Sequence, residues 1–225
     1  MEMIEEYLKI QSMLFKAHPW HGLSIGEKAP NIVTAYIELV PGDTIKYELD
    51  KQSGFLRIDR PQIYSNICPS LYGMIPQTYS GKSVAEYCNE KTGRTDIVGD
   101  CDPIDICVVT EKIVPAGDVI LSCRPIGGFR MIDGGEADDK IIAVMNDDAV
   151  YNERYDISVL PKTVINRLKH YFLTYKQSPD AKEAKCEITH VYGRDEAYEV
   201  LRRGFADYKE KFPDLVKYQE IISSK

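Results

Sequence analysis

Ten residues, Gly99-Asp100-Cys101-Asp102-Pro103-Ile104-Asp105-Ile106-Cys107-Val108, constrain this chain more than any other stretch. Asp100, Asp102 and Asp105 stand at i, i+2 and i+5, between a polar loop and an apolar run. Carboxylates this close repel one another. They either lie in water or surround a hard cation, and an oxygen-only ligand set selects magnesium, manganese or calcium. A second acidic cluster, Asp133-Gly134-Gly135-Glu136-Ala137-Asp138-Asp139-Lys140, follows further along the chain. The two clusters together point to a site for several metal ions, which basic residues nearby would direct towards phosphate.

Other readings of the motif fit less well. An EF-hand loop counted from Asp100 has oxygens at positions 1 and 3, and Glu111 at 12. But Ile104 and Asp105 stand at positions 5 and 6, which need an oxygen ligand and glycine. The residues that should open a helix, Ile106-Cys107-Val108-Val109, form a β run. A phosphatase with an aspartyl nucleophile needs an apolar strand before its Asp-x-Asp pair, and here Arg94-Thr95-Asp96-Ile97-Val98-Gly99 precedes it. A solvated acidic turn capped by Asp100 is the plain alternative.

With 35 acidic against 28 basic residues, the net charge of -7 argues against nucleic acid or an anionic membrane as the main partner. No apolar run approaches 18 residues, so no transmembrane helix is expected. The opening MEMIEEYLKIQSMLF lacks the basic start of a signal peptide. The six cysteines form no CxxC pair and no zinc spacing, as suits reduced thiols in a cytoplasmic protein. A length of 225 residues suits one domain.

Residues 2–17 suit a helical arm carrying Ile4, Leu8 and Phe15, ended by His18-Pro19. His18 and His21 lack a nearby third ligand and read as structural. Period-two alternation predicts strands over 32–40, 44–49 and 55–60. In the second, Ile45, Tyr47 and Leu49 take one face and Lys46 and Glu48 the other, which either sees water or lines a charged cleft. Residues 61–99 read mostly as loop, with a polar insertion over 82–98 holding one helical turn around Val84-Ala85-Glu86-Tyr87. Strands are expected at 104–110, 118–124, 126–132 and 140–145, and helices at 161–175 and 195–211. The order predicts an α+β fold with a small barrel core: an arm over 1–31, a domain over 32–212 and a tail over 213–225. Lys46, Glu48, Arg60, Lys140 and Lys176 lie in apolar or aromatic settings rather than in charge runs.

At this point the chain resembles the first family of soluble inorganic pyrophosphatases. Asp100-Cys101-Asp102-Pro103-Ile104-Asp105 fits the family signature Asp-x-Asp-Pro-x-Asp. Supporting segments run in order through Ile45–Lys51, Ile58-Asp59-Arg60, Leu71–Thr78, Cys123–Gly127, Met131-Ile132-Asp133 and Tyr171 to Lys176. The resemblance implies a five-stranded OB-type β-barrel flanked by helices, and hydrolysis of pyrophosphate to two phosphates with several Mg²⁺ ions, Mn²⁺ being able to substitute. It implies that Asp100, Asp105 and Asp138 hold a first metal, Asp105 reaching a second. Asp133 and Asp138 would hold a third, with Glu38 acting through water, and Glu48 would help a fourth. Lys46, Arg60, Tyr72, Lys140, Tyr175 and Lys176 would hold phosphates, and Asp102 would orient or deprotonate the attacking water. It also implies a homo-oligomer, with a dimer favoured over a hexamer because the arm and the 82–98 segment enlarge the chain. Family members usually carry tyrosine where Cys68 stands. Two rival functions are an OB-type oligonucleotide binder, which would want a basic aromatic groove, and a hydrolase of organic phosphates.

Overall fold

The computed structural model describes residues 6–7, 10–11, 13–178, 180–181 and 184–223. Its strands are β1 (Val33–Leu39), β2 (Ile45–Leu49), β3 (Leu56–Pro61), β4 (Leu71–Met74), β5 (Val98–Gly99), β6 (Asp105–Val109), β7 (Val119–Asp133), β8 (Glu136–Ala137), β9 (Lys140–Met145) and β10 (Cys186–Gly193). The helices are α1 (Lys82–Thr92), α2 (Lys162–Thr174), α3 (Arg194–Lys211) and α4 (Pro213–Ser223). This is an α+β architecture. The strands β1, β4, β6, β9 and β7 pair in that order, and β7 pairs back to β1, so five strands make a closed circuit. Strands β2 and β3 form a separate hairpin.

Burial on both faces explains why the central strands read as unbroken apolar runs. Along β9, Ile141 and Ala143 join one cluster, with Ala35, Ile37, Ile106 and residues of α1 and α3. Ile142 and Val144 join a second, with Phe129, Cys107, Tyr72 and the Leu168, Tyr171 and Phe172 face of α2. The candidate site carboxylates sit where these strands meet.

Several elements differ from the sequence expectation. The strands expected at 118–124 and 126–132 are one 15-residue strand, β7, with a register shift between Pro125 and Gly127. Proline removes a ladder donor, and the bulge lets one strand serve β1 with its first half and β10 with its second. The 82–98 segment is no polar appendage with a single turn. Its helix α1 has 11 residues and buries Val84, Ala85, Tyr87 and Cys88, so its apolar face is committed to this chain's own core. The 213–225 tail holds helix α4, signalled by Pro213 and Asp214 in its first turn. Strand β4 lies in a stretch expected as loop, and β10 forms where no strand is expected, because Thr189-His190 and Val191-Tyr192 break the polar–apolar alternation although the burial alternates. The described residues between 6 and 14 are helical, whereas Ile4 and Leu8 lie outside the described residues. His18 and His21 serve locally: His18 Nδ1 accepts the Trp20 amide at 3.2 Å, and His21 Nδ1 lies 3.0 Å from the Tyr208 hydroxyl.

All six cysteines are free, with Cys101 alone exposed. Among the described residues no helix is long and apolar enough to cross a membrane.

Candidate active site

Register brings the two acidic clusters together. Strands β6 and β9 run parallel and pair Asp105 with Lys140. Strand β4 pairs Tyr72 with Cys107, two residues on from Asp105 and on the same face. Gly73 permits this close packing, because a Cβ there would lie 1.9 Å from the Tyr36 carbonyl oxygen. The Asp100 loop is pinned by backbone bonds in both directions: the Ser80 amide donates to the Asp102 carbonyl at 2.8 Å, and the Cys101 amide to the Ser80 carbonyl at 3.1 Å. Cys101 takes φ 65, turning the chain between the two aspartates, and the Asp102 amide donates to Asp100 Oδ1 at 2.9 Å.

Glu38 arrives by a different device. The register slips between Ile37 and Leu39, leaving Glu38 as the extra residue of a β-bulge. Bulges re-aim a side chain, and this one turns the carboxylate inward, where it accepts the Leu49 amide at 2.7 Å. A second slip, between Lys46 and Tyr47, makes Asp59 the extra residue of β3, and its Oδ2 accepts from Lys46 Nζ at 2.9 Å.

The result is one cleft of about 210 Å³. Eight carboxylates line it, Glu38, Glu48, Asp100, Asp102, Asp105, Asp133, Glu136 and Asp138, against four lysines, Lys46, Lys51, Lys140 and Lys176. Tyr72 and Tyr175 complete its polar wall, with Leu49, Met74 and Pro103 at its apolar side. Twelve of the thirteen residues singled out from sequence meet here. Arg60 does not line the cleft. Its guanidinium lies 5.7 Å from the centre of the Tyr175 ring and donates to Asp59.

Lys140 is the centre of the arrangement. It is 1% exposed, and its ammonium donates to Asp105 and, at 2.6 Å, to Asp138 Oδ1. The Tyr72 and Phe172 ring centres lie 5.8 and 5.5 Å from it. Tyr72 Oη donates to Asp105 Oδ2 at 2.5 Å. At the rim, Lys176 donates to Asp133, Lys51 to Asp102, and Lys46 to Glu48 at 3.3 Å. Lys51 and Glu136 were missed as site residues. Lys51 read as part of a turn, and only the fold brings that turn to Asp102; Glu136 was visible within the second acidic cluster.

The charges are not balanced. Burial, then Asp138, pushes the Asp100 carboxyl up to about 8. Burial, then Asp105, pushes Glu38 up to about 8. Asp138 rises to about 6, burial outweighing the pull of Lys140. Burial works against the Lys140 charge, yet Asp105 and Asp138 hold its pKa well above the ordinary value. Burial and Asp105 likewise keep the Tyr72 hydroxyl protonated far into alkali, so it is a donor. Among the described residues no three His, Cys, Asp or Glu side chains already close around one point; the Lys140 ammonium lies between two of the carboxylates instead. Oxygen-only donors in excess over lysines, with Glu38 buried, Asp100 and Asp138 half-buried and all three resisting ionisation, fit hard cations such as Mg²⁺.

Comparison with known proteins agrees with this chemistry. The sequence matches the protein-family model for inorganic pyrophosphatase over residues 35–209. It is 50% identical over 199 residues to an inorganic pyrophosphatase of Chlamydia caviae, covering 87% of this chain and 92% of that one. It is 35% identical over 192 residues to soluble inorganic pyrophosphatase 1 of Arabidopsis thaliana, covering 85% and 82%. The crystal structure of inorganic pyrophosphatase from Thermus thermophilus superposes with a TM-score of 0.71 at 29% identity, covering 85% of this chain and 99% of that one. A cleft rich in carboxylates and lysines, on a fold shared with these enzymes and a sequence half identical to one of them, places this chain in the inorganic pyrophosphatase family.

Proposed function

We propose that this cleft hydrolyses inorganic pyrophosphate to two phosphates, with Mg²⁺ held by its aspartates. The observation that carries the reading is the excess of carboxylates over lysines around the buried Lys140. Pyrophosphate is densely anionic and would be repelled by such a wall unless cations entered with it. Asp100, Asp105 and Asp138 would hold a first metal, and Asp105 would also contribute to a second. Asp133 and Asp138 would hold a third with support from Glu38, and Glu48 would assist a fourth. Bound there, Mg²⁺ would neutralise phosphate charge and acidify water.

The chain's own groups do the rest. Lys46, Lys140 and Lys176 are point charges for phosphate oxygens, and Tyr72 and Tyr175 are hydroxyl donors. Arg60 sits beside Tyr175, from where its guanidinium supports the phosphate end of the cleft. Asp102, 41% exposed at its side chain, accepts a proton from the attacking water as its oxygen bonds to one phosphorus and the bridging P–O bond breaks. Lys51 is the counter-charge of that carboxylate in the resting state. Such a reaction needs mostly positioning and charge stabilisation.

The closed five-strand circuit supports an OB-type barrel as the core. Exposed apolar side chains on and beside the β2–β3 hairpin, Phe55, Ile58 and Tyr64, support self-association, which we read as a small homo-oligomer in the cytoplasm. The deciding experiment compares phosphate release from pyrophosphate, ATP and a simple phosphate monoester, with Mg²⁺ and with a chelator. Pyrophosphate should be strongly preferred and the chelator should abolish turnover. Equal rates on the monoester would shift the reading to a general phosphate-ester hydrolase.

A further inference from the structure

Behind the cleft, on the other face of the 138–140 segment, lies a charged cluster that the mechanism does not use. Arg130 of β7 is 0% exposed. Its Nη1 donates to Asp139 Oδ2 at 2.6 Å and its Nη2 to Glu196 Oε1, in the first turn of α3, at 2.8 Å. The guanidinium lies 5.0 Å from the ring centres of both Tyr87, on α1, and Tyr192, on β10. One side chain thus ties two helices and an edge strand to the segment that carries Asp138 and Lys140.

The connection to the cleft is direct. Phe129 is the register partner of Lys140. The Met131 carbonyl accepts the Asp138 amide at 3.0 Å. Arg130, between them, holds Asp139. Three consecutive residues of β7 therefore hold the three residues of the segment, alternately from the cleft side and from behind. A slip of one residue would turn Asp138 and Lys140 away from the cleft and Asp139 into it.

Stability alone does not account for such a cluster. Apolar residues of the same volume often serve as well as a buried ion pair or better, because desolvation of both charges opposes their attraction. Here Arg130 Nε and Asp139 Oδ1 are buried without a hydrogen-bond partner among the described residues, so the desolvation cost is only partly offset. What the cluster does supply is an unambiguous facing for the strand. We propose that Arg130, Asp139 and Glu196 form a positioning clamp that sets the aim of Asp138 and Lys140, and through them the metal affinity of the cleft. This inference rests on the reading of Asp138 as a metal ligand. Groups that orient metal ligands from behind typically change affinity or activity by about 10–100-fold when altered.

The test is calorimetric titration of Mg²⁺ into the wild-type protein and into Arg130→Met, Asp139→Asn and Glu196→Gln, each well below its own unfolding temperature. Methionine keeps apolar contact with the two tyrosines, and asparagine keeps the shape of Asp139. We expect Mg²⁺ affinity to fall by about 10–100-fold in the first two and by less in Glu196→Gln, whose side chain is 21% exposed and keeps a hydrogen-bonding oxygen. Variants that unfold at lower temperature yet bind Mg²⁺ as the wild type does would overturn the clamp. If the Arg130 and Asp139 variants do not fold, unchanged affinity in Glu196→Gln overturns it alone. A wild-type protein that binds no Mg²⁺ would remove the metal reading of the site and the clamp with it, whereas normal wild-type binding with unaffected variants removes only the clamp.

Discussion

Lys140→Met tests whether the cleft is held by charge or by packing. Methionine keeps an unbranched stem against Tyr72 and Phe172, so the main loss is the ammonium between Asp105 and Asp138. Removing one partner of a buried ion pair typically costs about 3–5 kcal/mol, because the remaining charge stays buried and uncompensated. For a chain of this length each kcal/mol lowers Tm by about 2–4 °C, so the metal-free variant should melt roughly 6–20 °C below the wild type at pH 8. The loss depends on pH in a defined direction. A buried carboxyl whose folded pKa is raised above its unfolded value binds more protons in the fold, so stability falls as pH rises through that window. Asp138 already sits at about 6 with Lys140 in place, against an ordinary 3.8, and it moves higher without the lysine. Below pH 5 Asp138 is protonated in the variant and the penalty shrinks. Calorimetric Tm values for both proteins in chelator, at pH 5 and 8, measure this directly. Millimolar Mg²⁺ at pH 8 should recover part of the difference. An equal Tm loss at both pH values, unmoved by Mg²⁺, would refute the electrostatic account and assign the loss to packing.

Four further outcomes follow from the same geometry. Ca²⁺ should support turnover poorly, because its bonds are longer and looser and it acidifies water less; equal phosphate release with Ca²⁺ alone would contradict the mechanism. Asp102→Asn should keep the wild-type Tm and Mg²⁺ affinity while slowing hydrolysis by about 10²–10⁴-fold, and unchanged activity at pH 7 would make Asp102 structural. Asp105→Ala should lower kcat at saturating Mg²⁺ more than Asp139→Ala, since Asp105 faces the cleft and Asp139 is paired with Arg130 behind it; similar kcat losses would mean the strand's facing has been misassigned. Burial, then His18, lowers His21 to about 4 from 6.5. Its contribution to stability is complete above pH 6.5 and is lost as pH falls towards 4, so Tm of His21→Gln should depend less on pH than that of the wild type across that range, and parallel curves would count against it.

The amino-acid sequence by itself determined the chemistry of this protein. Residue type and local spacing carry the information that Asp100, Asp102 and Asp105 crowd one turn, that a second cluster ends at Lys140, and that Lys46 and Glu48 share a strand face. These are short-range properties of a chain with period-two side chains. Helices α2 and α3 were legible for the same reason, since their apolar faces repeat at helical spacing. Only the tertiary structure decided what depends on partners distant in sequence. It turned Glu38 inward through a bulge whose register is set by β4, and it brought Lys51 from a surface turn to Asp102. It left Arg60 beside Tyr175 rather than in the cleft wall. It also made α1 part of the core, because Val84 and Cys88 meet β-strand and α3 residues that no local pattern reveals. Asp138 and Asp139 are identical letters in the sequence; one meets Lys140 in the cleft and the other a buried arginine behind it, because pairing with β7 sets which face of the segment each side chain takes.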